Sequence, residues 1–384
     1  MVVPAVIVGA DINGLGVARS LARERVPTWL VESDPSDPAL RTRHSGKHIV
    51  GALGGTTVVD ALIGLRRRFA DDPVLFLTRE ETVETVLTGR ERIAGLYRFS
   101  LPQAAVMQPL LDKVGFQQLA EAHGFPVPRA VSLGDGASLA AAEGLRFPCV
   151  VKPVRKTPEY IARCKKAYKV EDRAQLRRVL DEVAGAAEMI AQEWIEGGDD
   201  RIHFCLQYRP RAAAAAVSFT GRKLRSWPPR VGGTASCVPA PEAAAELAAL
   251  TDAFFAATGF FGLGSMEFKQ DAASGRFLMI EPTVGRTDFQ EEIATLNGVN
   301  IPYAAYCGEL GRELPEARRR RGAAWAVAPI DRWSREQQPN DAARSPRGLR
   351  RYDAMWRLDD PLPWCVMTAG RVKARLAAWK PRRR

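Results

Sequence analysis

The chain of 384 residues is 46% hydrophobic and 26% charged, which excludes a disordered or fibrous protein and leaves room for two or three packed subdomains. Its six cysteines and four histidines lack the spacing of metal ligands or of a disulfide framework, so neither a zinc site nor a disulfide-stapled domain is predicted. The net charge of +11 lies in residues 311–384, where 19 Lys and Arg stand against 8 Asp and Glu, whereas residues 1–310 carry 36 of each sign.

The sequence contains no apolar run near the roughly 20 residues that a membrane-spanning helix needs. Its start, MVVPAVIVGADING, lacks the basic segment of a signal peptide and is typical of a buried strand, so we expect a cytoplasmic protein. The basic residues after position 311 suit phosphates or an anionic membrane surface, with a solvated basic surface as the competing interpretation.

In the first third of the chain, short apolar runs alternate with helical patterns. Residues 3–9 predict a strand, 17–25 a helix and 28–31 a second strand. Further strands are predicted at 47–51 and 74–77, with a helix between them at 57–69. This alternation is typical of a parallel sheet covered by helices, and it predicts an α/β, Rossmann-like subdomain at about residues 1–105.

The pattern changes at Asp112, where DKVGFQQLAEAHG predicts an amphipathic helix ended by Gly124. A strand at 148–153 and a helix at 171–187 complete a small α+β subdomain at about 106–190. Strands at 189–195, 203–208 and 213–220, a helix at 241–259 and a hairpin at 262–282 predict an antiparallel sheet with helices on one side, a larger subdomain at about 191–310.

Residues 311–384 form a basic C-terminal extension in this interpretation. Its tryptophans are too many for a disordered linker, so we expect partial order there, with a loose KPRRR end. These tryptophans are Trp325, Trp333, Trp356, Trp364 and Trp379.

The hairpin GSMEFKQDAASGRFLMIEP is the most informative segment. A three-residue loop at 273–275, with Gly275 as its left-handed residue, places Glu267 directly opposite Glu281 on one face, with Cβ atoms about 5 Å apart. Two unbridged carboxylates there repel each other, whereas Mg²⁺ binds one or two carboxylates together with phosphate oxygens. The pair predicts a Mg·ATP site; two exposed glutamates balanced by Lys269 and Arg276 are the alternative.

Two lysines stand at positions suited to phosphate. Lys152 closes the apolar run CVVKP, and a lysine there is costly unless an anion meets it. Lys113 opens the helix after Asp112. Both are candidate phosphate ligands. The alternative for Lys152 is a strand-end lysine whose ammonium extends into solvent, and the alternative for Lys113 is a solvated first-turn residue.

At this point the sequence resembles a known family. The succession DK (112–113), VVKP (150–153), QEWIEG (192–197), SMEFK (265–269) and IEP followed by Arg286 is similar to the ATP-grasp superfamily over roughly residues 1–310. The similarity is to its carboxylate–amine ligase branch, which includes D-aspartate ligase, D-alanine–D-alanine ligase, biotin carboxylase and carbamoyl-phosphate synthase. It implies an ATP-grasp fold, ATP and Mg²⁺ (or Mn²⁺) as cofactors, and an ADP-forming ligase that joins a carboxylate to an amine.

The resemblance also implies roles for single residues. Lys113 and Lys152 would hold the ATP phosphates, the main chain of Glu193, Trp194 and Ile195 would recognise adenine, and Asp199 or Asp200 would bind the ribose hydroxyls. Glu267 and Glu281 would bind the magnesium ions. Arg286 matches the arginine that stabilises the transferred phosphoryl group and the acyl phosphate.

The sequence departs from the family where E-x-N-x-R is usual. Thr283 replaces the asparagine and Arg286 falls one residue late, so Thr283 is the candidate third metal ligand. In TGRKLRSWPPRVGGTAS, Lys223 and Arg225 are the candidates for the γ-phosphate and the substrate carboxylate, against an exposed basic loop. Residues 155–166 suit a mobile flap over the triphosphate, and a plain surface loop is the alternative.

Three hypotheses compete with the ligase interpretation. VIVGADINGLG followed by Glu32 suggests an NAD-dependent oxidoreductase, but Gly9, Gly14 and Gly16 do not give G-x-G-x-x-G and Asp11 would repel a pyrophosphate. Nucleic-acid or membrane-surface binding would use the basic extension, although a nucleic-acid partner is disfavoured by the neutral body. A homodimer is the expected assembly.

Overall fold

The computed structural model describes residues 2–134, 142–155, 158–211, 215–318, 320–338, 343 and 346–378. It contains three sheets, one parallel and two predominantly antiparallel, with helices packed against them. Trp379, the KPRRR end and residues 156–157 of the expected flap lie outside the described residues.

The first sheet is parallel, with strand order β3-β2-β1-β4, which confirms the predicted α/β architecture. Its central strand, AVIV, is buried at every position, as expected for a strand with helices on both faces. Helix α1 begins where Asp11 Oδ1 accepts a hydrogen bond from Asn13 N at 2.8 Å, an N-cap. The elements are β1 Ala5–Val8, α1 Ile12–Ala22, β2 Thr28–Glu32, β3 Ser45–Ile49, α2 Gly55–Arg66, β4 Val74–Leu77, α3 Glu80–Thr88 and α4 Arg90–Ile93.

The second sheet is antiparallel, with order β5-β8-β6-β7, and has its own hydrophobic cluster around Val151 and Leu176. Helix α6 begins at Lys113, as predicted, because the Asp112 carboxylate accepts hydrogen bonds from Val114 N and Gly115 N. The elements are α5 Ala104–Leu111, α6 Lys113–Ala122, β5 Ala130–Gly134, β6 Cys149–Pro153, α7 Pro158–Arg163, β7 Tyr168–Val170, α8 Arg173–Val183 and β8 Met189–Glu193.

The third sheet has the order β13-β12-β9-β10-β11-β14-β15 and is antiparallel except between β14 and β15. Its elements are β9 Ile202–Arg209, β10 Val217–Trp227, β11 Gly233–Pro239, α9 Ala244–Ala257, β12 Gly262–Gln270, β13 Phe277–Val284, α10 Glu292–Leu296, α11 Ile301–Glu309, β14 Ala323–Ala326, α12 Ala328–Gln337, β15 Arg350–Asp353 and α13 Leu362–Ala378.

The residues predicted as a C-terminal extension contribute two strands, β14 and β15, to this sheet. Trp325 of β14 is buried in the main core. Arg19 of α1 reaches the same segment: its guanidinium donates to the carbonyl oxygens of Ala354 and Met355 and is paired with the buried carboxylate of Asp360 at 2.9 Å. The C-terminal segment is therefore fastened to the first subdomain.

Two hydrophobic clusters run from the parallel sheet into the third sheet, whereas the cluster of the second sheet contains only residues between 131 and 191. Among the described residues, no helix combines the length and the apolar character needed to cross a membrane.

Candidate active site

A cleft between the second and third sheets consists of two adjoining cavities. The smaller, of about 200 Å³, is lined by β6, β8 and the ends of β12 and β13, and the larger, of about 330 Å³, extends towards α3, α5 and the segment after β13. Both are lined by one shared set of residues, which therefore marks their junction: Lys113, Lys166, Lys223, Gly233, Glu267 and Glu281.

Glu267 and Glu281 lie directly opposite each other at this junction, as the sequence predicts. The predicted three-residue loop is wrong, however. The register shifts between Glu267 and Phe268, so that Phe268 pairs with Met279 and Ile280 is an extra residue in β13. The turn between Gln270 and Phe277 is longer than predicted, and the bulge offsets the difference, so the glutamate pair is preserved.

Each glutamate has a lysine partner. Lys223 Nζ lies 2.6 Å from Glu267 Oε2, and Lys113 Nζ lies 3.4 Å from Glu281 Oε1. The carboxylate side chains are 34% and 49% exposed, so both remain open to the cleft. The lysines relieve the repulsion between the two carboxylates and bring positive charge to the junction.

The two carboxylates fit a divalent cation that is shared with a nucleotide. Within the described ranges no group of three or more His, Cys, Asp and Glu side chains surrounds a common point, so the protein alone does not form a closed metal cage there. Mg²⁺ commonly binds through one or two carboxylates and completes its octahedron with phosphate oxygens and water. Thr283 is paired with Ser265 in the hairpin and lines the larger cavity, on the same side as the glutamates.

Lys152 and the end of β8 line the smaller cavity. Lys152 Nζ donates to Gln192 Oε1 at 3.2 Å across the sheet, which holds the ammonium at the cavity wall. Glu193, Trp194 and Ile195 follow as predicted. Glu193 N donates to Arg129 O and Trp194 N to Pro148 O, at 2.8 and 3.0 Å, so these two amides fix the path of the strand end.

The Glu193 carboxylate is directed to Arg146, whose Nη2 lies 2.8 Å away. This hydrogen bond is the main reason that the pKa of Glu193 lies below its ordinary value, with burial opposing it. The side chain of Glu193 is thus engaged by Arg146, and its main chain lies at the cavity.

Lys269 supports the turn that follows the strand end. Its buried ammonium donates to the carbonyl oxygens of Gly197 and Gly198 at 2.8 and 2.7 Å. Desolvation lowers the pKa of Lys269, against the opposing effect of Asp199. The sequence pattern indicates Lys269 only as a counter-charge to the glutamates and carries no signal for its contact with the turn.

The two candidate ribose ligands are not brought to the cleft: neither Asp199 nor Asp200 is among the described residues that line the two cavities. Asp199 is buried and accepts hydrogen bonds from Ser226 N at 2.8 Å and Arg230 N at 2.9 Å. Its carboxylate holds the turn between β10 and β11, and the prediction of a ribose contact has no support from this geometry.

Lys223 and Arg225 face opposite sides of β10. Lys223 is in register with Cys237, whereas Arg225 is in register with Ser236, so two steps along β10 match one step along β11. In a regular strand residues two apart share a face, but Leu224 is an extra residue here and turns Arg225 to the other side.

Arg225 is therefore bound to α12 and not to the cleft, contrary to the prediction. Its Nε and Nη2 atoms donate to the two carboxylate oxygens of Asp331 at 2.6 and 3.0 Å, and Nη1 donates to Ala343 O at 2.9 Å. Lys223, in contrast, is buried at the junction beside Glu267.

Arg286 lines the larger cavity, as expected. Gly285 precedes it with a φ of +73°, a left-handed conformation that ends β13, and a Cβ there would meet Leu101 Cδ1 at 2.5 Å. The glycine explains how an arginine that falls one residue late still reaches the cleft: the chain turns sharply at Gly285. Arg286 Nη1 donates to Thr287 O at 3.1 Å.

Asp288 is a cleft residue that sequence analysis missed. It lines the larger cavity, and its carboxylate accepts hydrogen bonds from Ser265 Oγ, Gln290 Nε2 and Phe289 N at 2.9, 3.1 and 2.9 Å. Behind it, burial raises the pKa of Glu291 to about 8. The only sequence signal was an acid two residues after Arg286.

The parallel sheet does not present a dinucleotide site. The buried Glu32 carboxylate accepts a hydrogen bond from Ala10 N at 2.8 Å and pairs with Arg79 at 2.7 Å. Asp11 caps α1 and also contacts Arg79. The acid that would reach a ribose in the oxidoreductase hypothesis is thus engaged within the protein.

No family model and no curated protein sequence matches this chain. Solved structures do match. An N5-carboxyaminoimidazole synthetase from Staphylococcus aureus, complexed with ADP, has a TM-score of 0.66 and 14% identity and covers 91% of this chain and 92% of its own. The biotin carboxylase–β-γ-ATP complex from Campylobacter jejuni has a TM-score of 0.65 and 16% identity over 84% and 75%.

A third match is the biotin carboxylase domain dimer of the Hydrogenobacter thermophilus 2-oxoglutarate carboxylase, in complex with MgADP, ADP and bicarbonate. It has a TM-score of 0.65 and 15% identity, and covers 84% of this chain and 74% of its own. At these identities the likeness shows a common fold.

Proposed function

Starting from the ATP-grasp fold of this chain, we propose that it is an ATP-dependent ligase that forms an amide C–N bond between a carboxylate and an amine, with release of ADP and phosphate. An amino acid is the carboxylate that we expect. One observation carries the proposal: two opposed carboxylates, Glu267 and Glu281, meet two lysines where a pair of cavities join.

The smaller cavity suits the nucleotide. Val150, Ile202 and Ile280 supply apolar walls for a base, and the main chain at Ile195, next to the two engaged amides, is the edge that we assign to adenine. Lys113 and Lys152 line the same cavity and would meet the phosphates as point charges. Solved structures of the same fold are described as complexes with ADP or an ATP analogue, which agrees with this placement.

The junction suits the metal. Glu267, Glu281 and, as a third ligand, the Thr283 hydroxyl would hold Mg²⁺ or Mn²⁺ together with the phosphates. When bound, the ion would supply the positive charge that offsets the charge of the transferred phosphoryl group. Lys113 and Lys223, which contact the two carboxylates in this structure, would then be free to meet phosphate oxygens.

The larger cavity suits the two substrates. Arg286 and Lys223 line it near the junction and would bind the carboxylate beside the γ-phosphate. The carboxylate oxygen attacks the γ-phosphorus and displaces ADP, giving an acyl phosphate; the amine nitrogen then attacks the acyl carbon and displaces phosphate, with loss of one proton. Asp288 and Glu80 line the same cavity. They would hold the amine as an ammonium ion, take the proton that it must lose before its nitrogen can attack, and take the second proton as the amide forms.

Two further expectations stay predictions for this chain: a cytoplasmic location and a homodimer. The biotin carboxylase domain of Hydrogenobacter thermophilus is described as a dimer, and gel filtration of this protein would test the same assembly.

An ADP-release screen against pools of carboxylates and amines tests the reaction, and Mn²⁺ binding in the presence of ADP, followed by electron paramagnetic resonance, tests the metal site. We expect Glu281→Gln to abolish ADP release and to weaken Mn²⁺ binding at least tenfold. Glu246→Gln, an exposed glutamate on α9, is the matched control and should behave as wild type. Full activity and metal affinity in the Glu281→Gln protein would reject the proposal.

A further inference from the structure

Four large apolar side chains lie exposed in the segment after β15 and in the first turn of α13. Trp356, Leu358, Leu362 and Trp364 are 42%, 88%, 56% and 38% exposed. The rings of Trp356 and Trp364 contact each other edge to face, with centroids 5.3 Å apart. We call these four residues the aromatic patch. Exposed apolar patches are typical of interaction surfaces.

The aromatic patch sits on a well-anchored part of the chain. Asp360, in its middle, is buried and accepts hydrogen bonds from Arg19, Thr42 and the main chain of Arg43. Met367 packs against the main core. The protein therefore holds this segment in place and leaves the four apolar side chains outside.

Basic residues follow the aromatic patch along the sequence. Residues 371–384, which continue directly from it, contain seven Lys and Arg and neither Asp nor Glu. The exposed carboxylate of Asp359 is the opposing charge; His44 Nε2 lies 3.9 Å from it, and Arg43 Nη1 donates to Asp359 O at 3.3 Å. The sequence that follows the patch is therefore strongly basic.

We propose that the aromatic patch and the basic residues after it dock the protein on an anionic lipid bilayer. Tryptophan and leucine insert at the level of the headgroups, and Lys and Arg meet the negative surface charge. A nucleic acid would also attract the basic residues, but the aliphatic side chains of Leu358 and Leu362 have no function on a phosphate backbone. The combination of exposed apolar and cationic groups favours the bilayer.

Vesicle sedimentation of the full chain tests the proposal in 0.1 M salt. We expect at least tenfold more binding to vesicles of 70% phosphatidylcholine and 30% phosphatidylserine than to pure phosphatidylcholine vesicles. The double substitution Trp356→Ser/Trp364→Ser should reduce that binding at least fivefold, as should Arg382→Gln/Arg383→Gln/Arg384→Gln. Trp333→Ser, which changes an exposed tryptophan on α12, is the matched control and should bind as wild type.

Circular dichroism checks that each variant is folded; Leu358→Gln replaces the double variant if that protein does not fold. Absence of binding to the anionic vesicles would overturn the proposal. It would also be overturned by vesicle binding that survives the patch substitutions, or by tighter binding to a single-stranded oligonucleotide, which would assign the basic residues to nucleic acid. Because Mg·nucleotide binding at the cleft is measured separately, failure of this proposal leaves the ligase proposal unaffected.

Discussion

Replacing Arg225 by methionine tests whether the bulge in β10 separates a structural arginine from a cleft lysine. The substitution removes three hydrogen bonds, two to Asp331 and one to Ala343 O, and leaves the largely buried Asp331 carboxylate with Ser236 and Arg335. Removing one partner of a buried ion pair costs about 3–5 kcal/mol. Because Asp331 keeps two donors, we expect the lower end, about 3 kcal/mol, and a fall in Tm on the order of 5 °C.

Scanning fluorimetry with and without a non-hydrolysable Mg·ATP analogue separates stability from binding, because a ligand raises Tm according to its affinity. Arg225→Met should lower Tm and keep the full rise on adding the analogue. Lys223→Met changes the neighbouring cation on the same strand. It should leave Tm close to wild type and reduce the rise on adding the analogue, since Lys223 lies at the cleft beside Glu267.

The double substitution Arg225→Met/Asp331→Leu should recover most of the lost stability, because a buried ion pair and an apolar pair of similar volume are close in free energy. If Arg225→Met kept the wild-type Tm and abolished the response to the analogue, the assignment of Arg225 to the α12 side would be refuted.

Three further substitutions have distinct expected results. Burial raises the pKa of Glu291 to about 8 from an ordinary 4.5, so the stability linked to its proton is complete below pH 4.5 and is lost as the pH rises to about 8. Wild type should therefore lose roughly 3 kcal/mol of unfolding free energy by pH 7 that Glu291→Gln does not lose. Urea unfolding at pH 5 and 7 measures this difference, and an equal change in the two proteins would contradict the expectation. Lys269→Met frees the carbonyls of Gly197 and Gly198 and should raise the Kd for ADP about tenfold by calorimetry; an unchanged Kd would show that this turn does not shape the site. Asp199→Asn should cost about 1 kcal/mol of stability yet leave the preference for ADP over 2′-deoxy-ADP unchanged, and loss of that preference would restore the ribose role.

The sequence was sufficient to predict the mixed α/β fold class and the pairing of the two glutamates. Residues in both elements of a hairpin are close along the chain, so their pairing follows from a local pattern. The turn was predicted wrongly, with one residue too few, and the bulge at Ile280 compensates for the difference. The pairing of Glu267 with Glu281 survived because the bulge lies on the turn side of the pair.

The errors at Arg225 and Asp199 have a common physical cause. A strand is expected to alternate its faces, but the bulge at Leu224 arises in the pairing with β11. The partner of Arg225 is a carboxylate of α12, 106 residues further along the chain. The Asp199 carboxylate accepts hydrogen bonds from the main-chain amides of Ser226 and Arg230. These residues are distant in sequence, so a local pattern does not predict the contact. Asp288 was missed because a single acid after an arginine carries no spacing signal.

The separate hydrophobic cluster of the second sheet bears on which part of the molecule would move at the least cost in exposed apolar surface. The parallel sheet and the third sheet share two clusters and are fastened by Arg19, so displacing one from the other would expose core side chains to water. The hydrophobic cluster of the second sheet includes no residue of the other two sheets. Displacing this sheet would separate no shared hydrophobic cluster, so we expect any opening of the proposed nucleotide cleft to come from movement of this unit.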